Sequence, residues 1–95
     1  MNANKSNSEI ELFIGSLTTE KARIIRRLNE ALPPGPLVRR KDAAKAVHES
    51  PLTWRNRDAN GRGITKVHLG RLVYYQRIDL LRWLASQLYV ESSNE

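Results

Sequence analysis

Residues 66–83, KVHLGRLVYYQRIDLLRW, pass from an alternating pattern to a helical one with no linker between them. Val67 and Leu69 alternate with Lys66 and His68. Gly70 interrupts the run, and Val73, Tyr74 and Tyr75 resume it with side chains of high strand propensity. The spacing predicts a β-hairpin that pivots on Gly70. From Ile78 the period lengthens: Ile78, Leu81, Leu84 and Leu88 share one helical stripe, widened by Leu80 and Trp83, and Asp79 sits in the first turn. A hairpin running straight into an amphipathic helix points to a small α+β domain, mainly α. Two hairpin registers are open. A two-residue turn at Gly70-Arg71 places Val67, Leu69, Leu72 and Tyr74 on the buried face, whereas a three-residue turn ending at Leu72 buries Val73 and Tyr75. Arg71 is at the tip in both.

Upstream of the hairpin, residues 40–60 read as two short helices around a tight turn. In Arg40–Val47 the small side chains Ala43, Ala44 and Val47 are spaced to face inward and let a second helix approach closely. His48-Glu49 is the turn. Ser50-Pro51 then starts the next helix, because serine caps a free backbone N–H and proline loses nothing at the first helical position. With Trp54 as the core anchor, that helix exposes Leu52, Thr53, Arg55, Asn56 and Asn60. These residue types suit the edges of bases: arginine grips guanine, asparagine grips adenine, and threonine or leucine touches a thymine methyl. Arg57 lies nearer the packed side and is assigned to a phosphate. Asn60-Gly61-Arg62-Gly63 ends the helix and leaves Arg62 on the connection to the hairpin. The element order, helix, turn, helix, hairpin, helix, is that of a winged helix-turn-helix DNA-binding domain with the hairpin as its wing.

The charge distribution agrees with that order. The chain carries a net +6, but residues 37–83 hold eleven basic residues against four carboxylates and are more basic than the whole. A phosphate backbone is the expected partner of such a segment. Arg39, Arg40, Lys41, Arg62, Lys66, His68 and Arg71 are the candidates for contacts from the wing and the backbone of the domain, and Arg71 is placed to enter a minor groove.

A helix over residues 18–32 precedes the basic segment. Thr18 or Thr19 can cap it, Glu20 favours its positive end, and Ala22, Ile25, Leu28 and Leu32 form its stripe. Pro33-Pro34-Gly35-Pro36 stops it and makes it an appendage to the motif. Ile10, Leu12, Phe13 and Ile14 either pack back on the domain or form a surface for self-association. The polar residues before them, and those from Val90 onward, show no apolar period and are expected to be mobile. The divisions are therefore 1–9, a flexible N-terminus; 10–36, the N-terminal helix and proline-rich connection; 37–89, the DNA-binding domain; and 90–95, a flexible C-terminus.

Ninety-five residues with 40% hydrophobic content support one modest core rather than a catalytic cleft with a supporting layer, so no enzyme is expected. Tyr74 and Tyr75 lack the cluster of basic groups that a tyrosine nucleophile needs around a phosphate. With no cysteine there is no disulfide or thiolate zinc site, and His48 and His68 lack a third ligand at a recognisable spacing; no cofactor and no metal are expected. The absence of a signal-like segment or a membrane-length apolar run leads to an expectation of a cytoplasmic protein with no membrane partner.

The run from Lys41-Asp42-Ala43-Ala44 through Ser50-Pro51 to Gly70, Tyr75 and Asp79-Leu80, then Trp83-Leu84, resembles the MerR-like winged helix-turn-helix of excisionases and AlpA-type phage regulators. The resemblance covers residues 37–88 and leaves the N-terminal helix outside. It implies that Val73 and Tyr75 face inward. It also implies a factor of a mobile element that binds repeated sites on double-stranded DNA, bends or coats the DNA, associates with copies of itself, and steers a site-specific recombinase or integrase toward excision. Three departures from the family pattern stand out: His48 where glycine is frequent, Glu49 where an apolar turn residue is usual, and a long connection from Asn60 to Lys66. Two other functions fit the same residues: a small transcriptional regulator at a promoter, and a basic protein-interaction module that docks through Leu12–Leu32.

Overall fold

The computed structural model describes residues 3–91, with side chains from Ser8 onward. Five helices and three strands follow in the order α1 (Ala3–Gly15), α2 (Thr19–Ala31), β1 (Leu37–Arg39), α3 (Arg40–Ala46), α4 (Pro51–Ala59), β2 (Lys66–Leu69), β3 (Leu72–Gln76) and α5 (Arg77–Gln87). The strands form an antiparallel sheet in the order β1-β3-β2. The chain is thus a small α+β domain, predominantly helical.

Within residues 1–9, expected to be flexible, the described residues from Ala3 onward are helical. Helix α1 begins at Ala3, and Ile10 and Ile14 lock its C-terminal half into the core, 3% and 0% exposed. The i, i+4 spacing of this pair is too short a run to outweigh the polar residues before it as a sequence signal. Of the two fates open to the N-terminal apolar residues, packing is the one seen. Leu12, on the opposite face, stays 78% exposed. Helix α2 is capped by Thr18, whose Oγ1 accepts from the Lys21 N–H at 3.4 Å, and it buries Ile25. Ile10, Ile14, Ile25 and Leu32 belong to the same buried cluster as Val38, Ala43, Ala44, Trp54, Tyr75, Leu80, Leu81, Leu84 and Ala85. The α1–α2 hairpin is therefore part of the core, not an appendage.

Arg77 closes that junction. Buried at the start of α5, its guanidinium donates to the carbonyls of Gly35 and Pro33 and to both the carbonyl and Oδ1 of Asn29, while its own backbone N–H reaches Pro36 O at 2.7 Å. Burial alone lowers its pKa from the usual arginine value. One side chain thus satisfies the carbonyls that the prolines leave without helical or strand partners.

The proline stop also releases β1. Three residues after Pro36 are too few to signal a strand, yet Val38 lies across from Tyr75 and both are buried. The hairpin pairs Leu69 with Leu72, His68 with Val73, Val67 with Tyr74 and Lys66 with Tyr75 around a two-residue turn. Gly70 has φ 65°, the left-handed first position that a type II′ turn demands. The turn is therefore the shorter of the two considered. The buried face, however, is that of Val73 and Tyr75, and the Leu69–Leu72 pair faces out. Turn length and face prove independent, because the core position of Tyr75 is set by β1 and the helices rather than by the turn.

Candidate nucleic-acid interface

Helices α3 and α4 are joined by a turn whose chemistry is unusual for its position. The N–H of Glu49 reaches Ala44 O at 2.9 Å and that of His48 reaches Lys45 O at 3.0 Å, the paired bonds of a Schellman motif. That motif needs a left-handed residue, and His48 supplies it with φ 60°, the only positive φ of a non-glycine residue described. The histidine therefore occupies the backbone state for which glycine is preferred. Glu49 is equally tied in. Its Oε1 accepts from the Trp54 indole N–H at 2.6 Å and lies 3.6 Å from Arg57 Nη2. A carboxylate fits the turn because it gives the core tryptophan its hydrogen-bond acceptor.

Ser50 starts α4 as its residue type implies, with Oγ accepting from the Thr53 N–H at 3.1 Å ahead of Pro51. Gly61, at φ 71°, ends the helix in a second Schellman motif, with Arg62 N–H on Arg57 O and Gly61 N–H on Asp58 O. Trp54 is 1% exposed and packs at tilted angles on Tyr75 and Trp83, 5.8 and 5.5 Å between ring centroids. The opposite face of α4 presents Leu52, Thr53, Arg55, Asn56 and Asn60 to solvent.

Two of the expected cationic contacts are occupied within the fold. The Arg57 guanidinium lies 5.3 Å from the Trp54 ring and 4.9 Å from that of Trp83, beside Glu49. Its Nη1 is buried and meets no hydrogen-bond acceptor among the described residues, and the guanidinium lies against the two ring faces. Arg57 thus belongs to the packing between α4 and α5, not to an outward phosphate contact. Arg40 is turned inward as well. Its Nη2 is 3.1 Å from Asp58 Oδ2 and its Nε donates to the Tyr75 hydroxyl at 3.3 Å, while that hydroxyl donates to the same Asp58 oxygen at 2.6 Å.

This triangle ties α3, α4 and β3 together. Burial opposes the charge on Arg40, but its bonds to Tyr75 and Asp58 outweigh that and its pKa is raised. Burial first, and then the bond to Asp58, push the Tyr75 phenol up to about 12. Gly63 matters here for a reason its helix-ending role did not reveal: a Cβ there would collide with the Asp58 carboxylate. The clash is invisible in sequence because it joins a loop residue to a hydrogen-bonded node built from three distant elements.

Between the N-termini of α3 and α4 and the hairpin tip lies an open groove of about 330 Å³. Arg39, Arg40, Lys41, Arg55 and Arg71 line it with Pro51, Leu52, Leu72 and Val73, and no carboxylate is among them. Positions 39–41, 55 and 71 are thus gathered on one face. Arg39 is half-buried, Lys41, Arg55 and Arg71 are exposed, and Arg40 reaches the wall while held by Asp58. Thr53, Asn56 and Asn60 lie on α4 outside the lining, and Arg62, Lys66 and His68 are exposed elsewhere on the connection and on β2. The lining thus joins positive charge to apolar patches on one open face.

Comparison with family models, curated proteins and solved structures returns no match. No group of three His, Cys, Asp or Glu side chains among the described residues is placed to hold a metal ion. No helix among the described residues is long and apolar enough to cross a membrane.

Proposed function

We propose that the protein is a sequence-specific double-stranded DNA-binding factor of winged helix-turn-helix type. In this reading α3 and α4 are the helix-turn-helix, α4 is the recognition helix and the β2–β3 hairpin is the wing. The observation that carries the proposal is the groove in which Arg39, Lys41, Arg55 and Arg71 converge without a carboxylate beside the solvent face of α4. In the major groove, Arg55 and Asn56 supply bidentate donors and acceptors for guanine and adenine, with Thr53 and Leu52 against thymine methyls. Arg39, Lys41 and Arg71 take phosphates or the adjoining minor groove and set the register without reading bases.

The architectural role, an excisionase that steers a recombinase on a mobile element, is favoured over promoter control. A single small reading unit gains adequate specificity by cooperative binding to repeats. A gel-shift series on tiled element DNA across salt concentrations tests this. Salt-sensitive ladders of stepwise complexes on repeats beside a recombination site are expected, whereas a single complex at a promoter transfers the reading to the regulator.

A basic protein-interaction module has an observation of its own. Between α1 and α2, Ile14, Leu17 and Ala22 line a depression of about 540 Å³ together with Arg23, Arg26 and Arg27. That reading requires no specific DNA complex and partner binding with little salt dependence, in contrast to the steep weakening of phosphate contacts.

A further inference from the structure

The hairpin tip carries an apolar pair that the fold leaves uncovered. Leu69 and Leu72 face each other across the Gly70-Arg71 turn, 59% and 39% exposed, on the sheet face away from the buried Tyr75. Two-residue turns are ordinarily flanked on their open face by polar side chains, and large apolar groups at an exposed strand end cost solubility. The neighbours of this pair point to its ligand. Arg71 stands between the two leucines in sequence, and Leu72 lines the same groove as Arg39, Lys41 and Arg55. An acidic protein surface would satisfy the charges but gives no reason for the leucines to lie at the two-stranded end of the hairpin, beyond the residues that β1 pairs. A nucleic-acid duplex does, because an apolar side chain at a thin tip inserts between base pairs while the adjoining arginine holds the minor-groove edge.

We propose that Leu69 and Leu72 form a minor-groove wedge that partly unstacks one base step and kinks the DNA, with Arg71 as its electrostatic anchor. The inference rests on the DNA-binding reading and adds a mechanism to it: the wing deforms the duplex as well as touching it. Minor grooves about 6 Å wide exclude the body of a two-stranded ribbon but admit its tip, so the contact is confined to the closing pair and the turn. Unstacking is least costly at flexible pyrimidine–purine steps, so the wedge selects sequence through deformability at a position where no side chain reads a base edge.

The probe is a single-site duplex recovered by the protein from a randomised pool at low salt. Recovery of no duplex overturns the DNA reading itself. On a recovered duplex, 2-aminopurine placed at successive steps and dyes at the two ends report unstacking and bending. The wild-type protein is expected to raise 2-aminopurine emission at one step and to bring the ends closer. The L69S/L72S variant, changed only at exposed positions, is expected to keep its circular dichroism, bind within about tenfold of wild type with an unchanged salt slope, and lose most of both signals. L72T, which retains strand propensity, provides the same test with a partial loss if the double variant unfolds. R71A is expected to weaken binding and lower the salt slope by about one. Full unstacking and bending by the serine variant overturn the wedge, as does a wild-type complex that shows neither signal. Loss confined to stepwise binding on multi-site DNA, with the single-site signals intact, assigns the leucines to contacts between copies and overturns it too.

Discussion

Tyr75 is the residue on which the most elements converge, and its ionisation makes that testable. The phenol is held protonated in the fold, up to about 12, and returns on unfolding to the ordinary value of 10.0. Its contribution to stability is therefore complete below pH 10, falls as the pH rises from 10 to about 12, and is absent above that range. The full difference is about 2–3 kcal/mol. Tyr75→Phe is expected to lose about 1–2 kcal/mol at neutral pH and to flatten this part of the alkaline limb, as read by urea unfolding of both proteins from pH 8 to 12.5. On the outer face of α4, R55A or N56A is expected to relax base preference, by about 1–3 kcal/mol at one position, whereas R71A weakens binding to all sequences alike. Equal preference profiles for all three, measured by selection from randomised duplexes, count against α4 as the reading helix.

The α3–α4 turn shows what a short element demands of its side chains. Its Schellman bonds require a left-handed residue, and a histidine in that conformation bears strain of about 1 kcal/mol that glycine does not. His48→Gly is expected to raise stability by about 0.5–1 kcal/mol in thermal unfolding; a loss would show that the imidazole has a compensating role. The hairpin supplies the complementary case. Gly70 already occupies its positive-φ position, so the turn is locally satisfied and the face it presents is chosen elsewhere.

Across the molecule, α1 and α2 share their core with α5, and the prolines between α2 and β1 are held by Arg77. Removing that guanidinium leaves a row of polar groups unpaired in a buried junction. Arg77→Met is expected to destabilise the whole domain by about 2–4 kcal/mol, with a fall in the thermal midpoint on the order of 10–20 °C. Arg77→Lys is expected to recover less than half of the loss, because one ammonium cannot reproduce the planar fork that reaches Gly35, Pro33 and Asn29 together. Calorimetry showing a second, independent transition for residues 1–36 in wild type would instead make the N-terminal hairpin a separate unit.

Local chemistry was sufficient for the elements whose signals lie within a few residues. The Ser50-Pro51 start, the Gly61 stop, the Gly70 turn, the Thr18 cap and the stripe of α5 all appear in the sequence because capping bonds, positive φ and helical periodicity depend on near neighbours. The solvent face of α4 followed from anchoring Trp54. Strand β1, the burial of α1, and the inward turn of Arg40 and Arg57 depend on partners far along the chain. Val38 is a strand residue because of Tyr75; Arg40 is internal because of Asp58; Arg57 is held by Trp54, Trp83 and Glu49. A surplus of basic residues is legible in the sequence, since charge adds up irrespective of fold. Which of those cations meet in one groove depends on side-chain directions and burial, and these arise only when the elements pack.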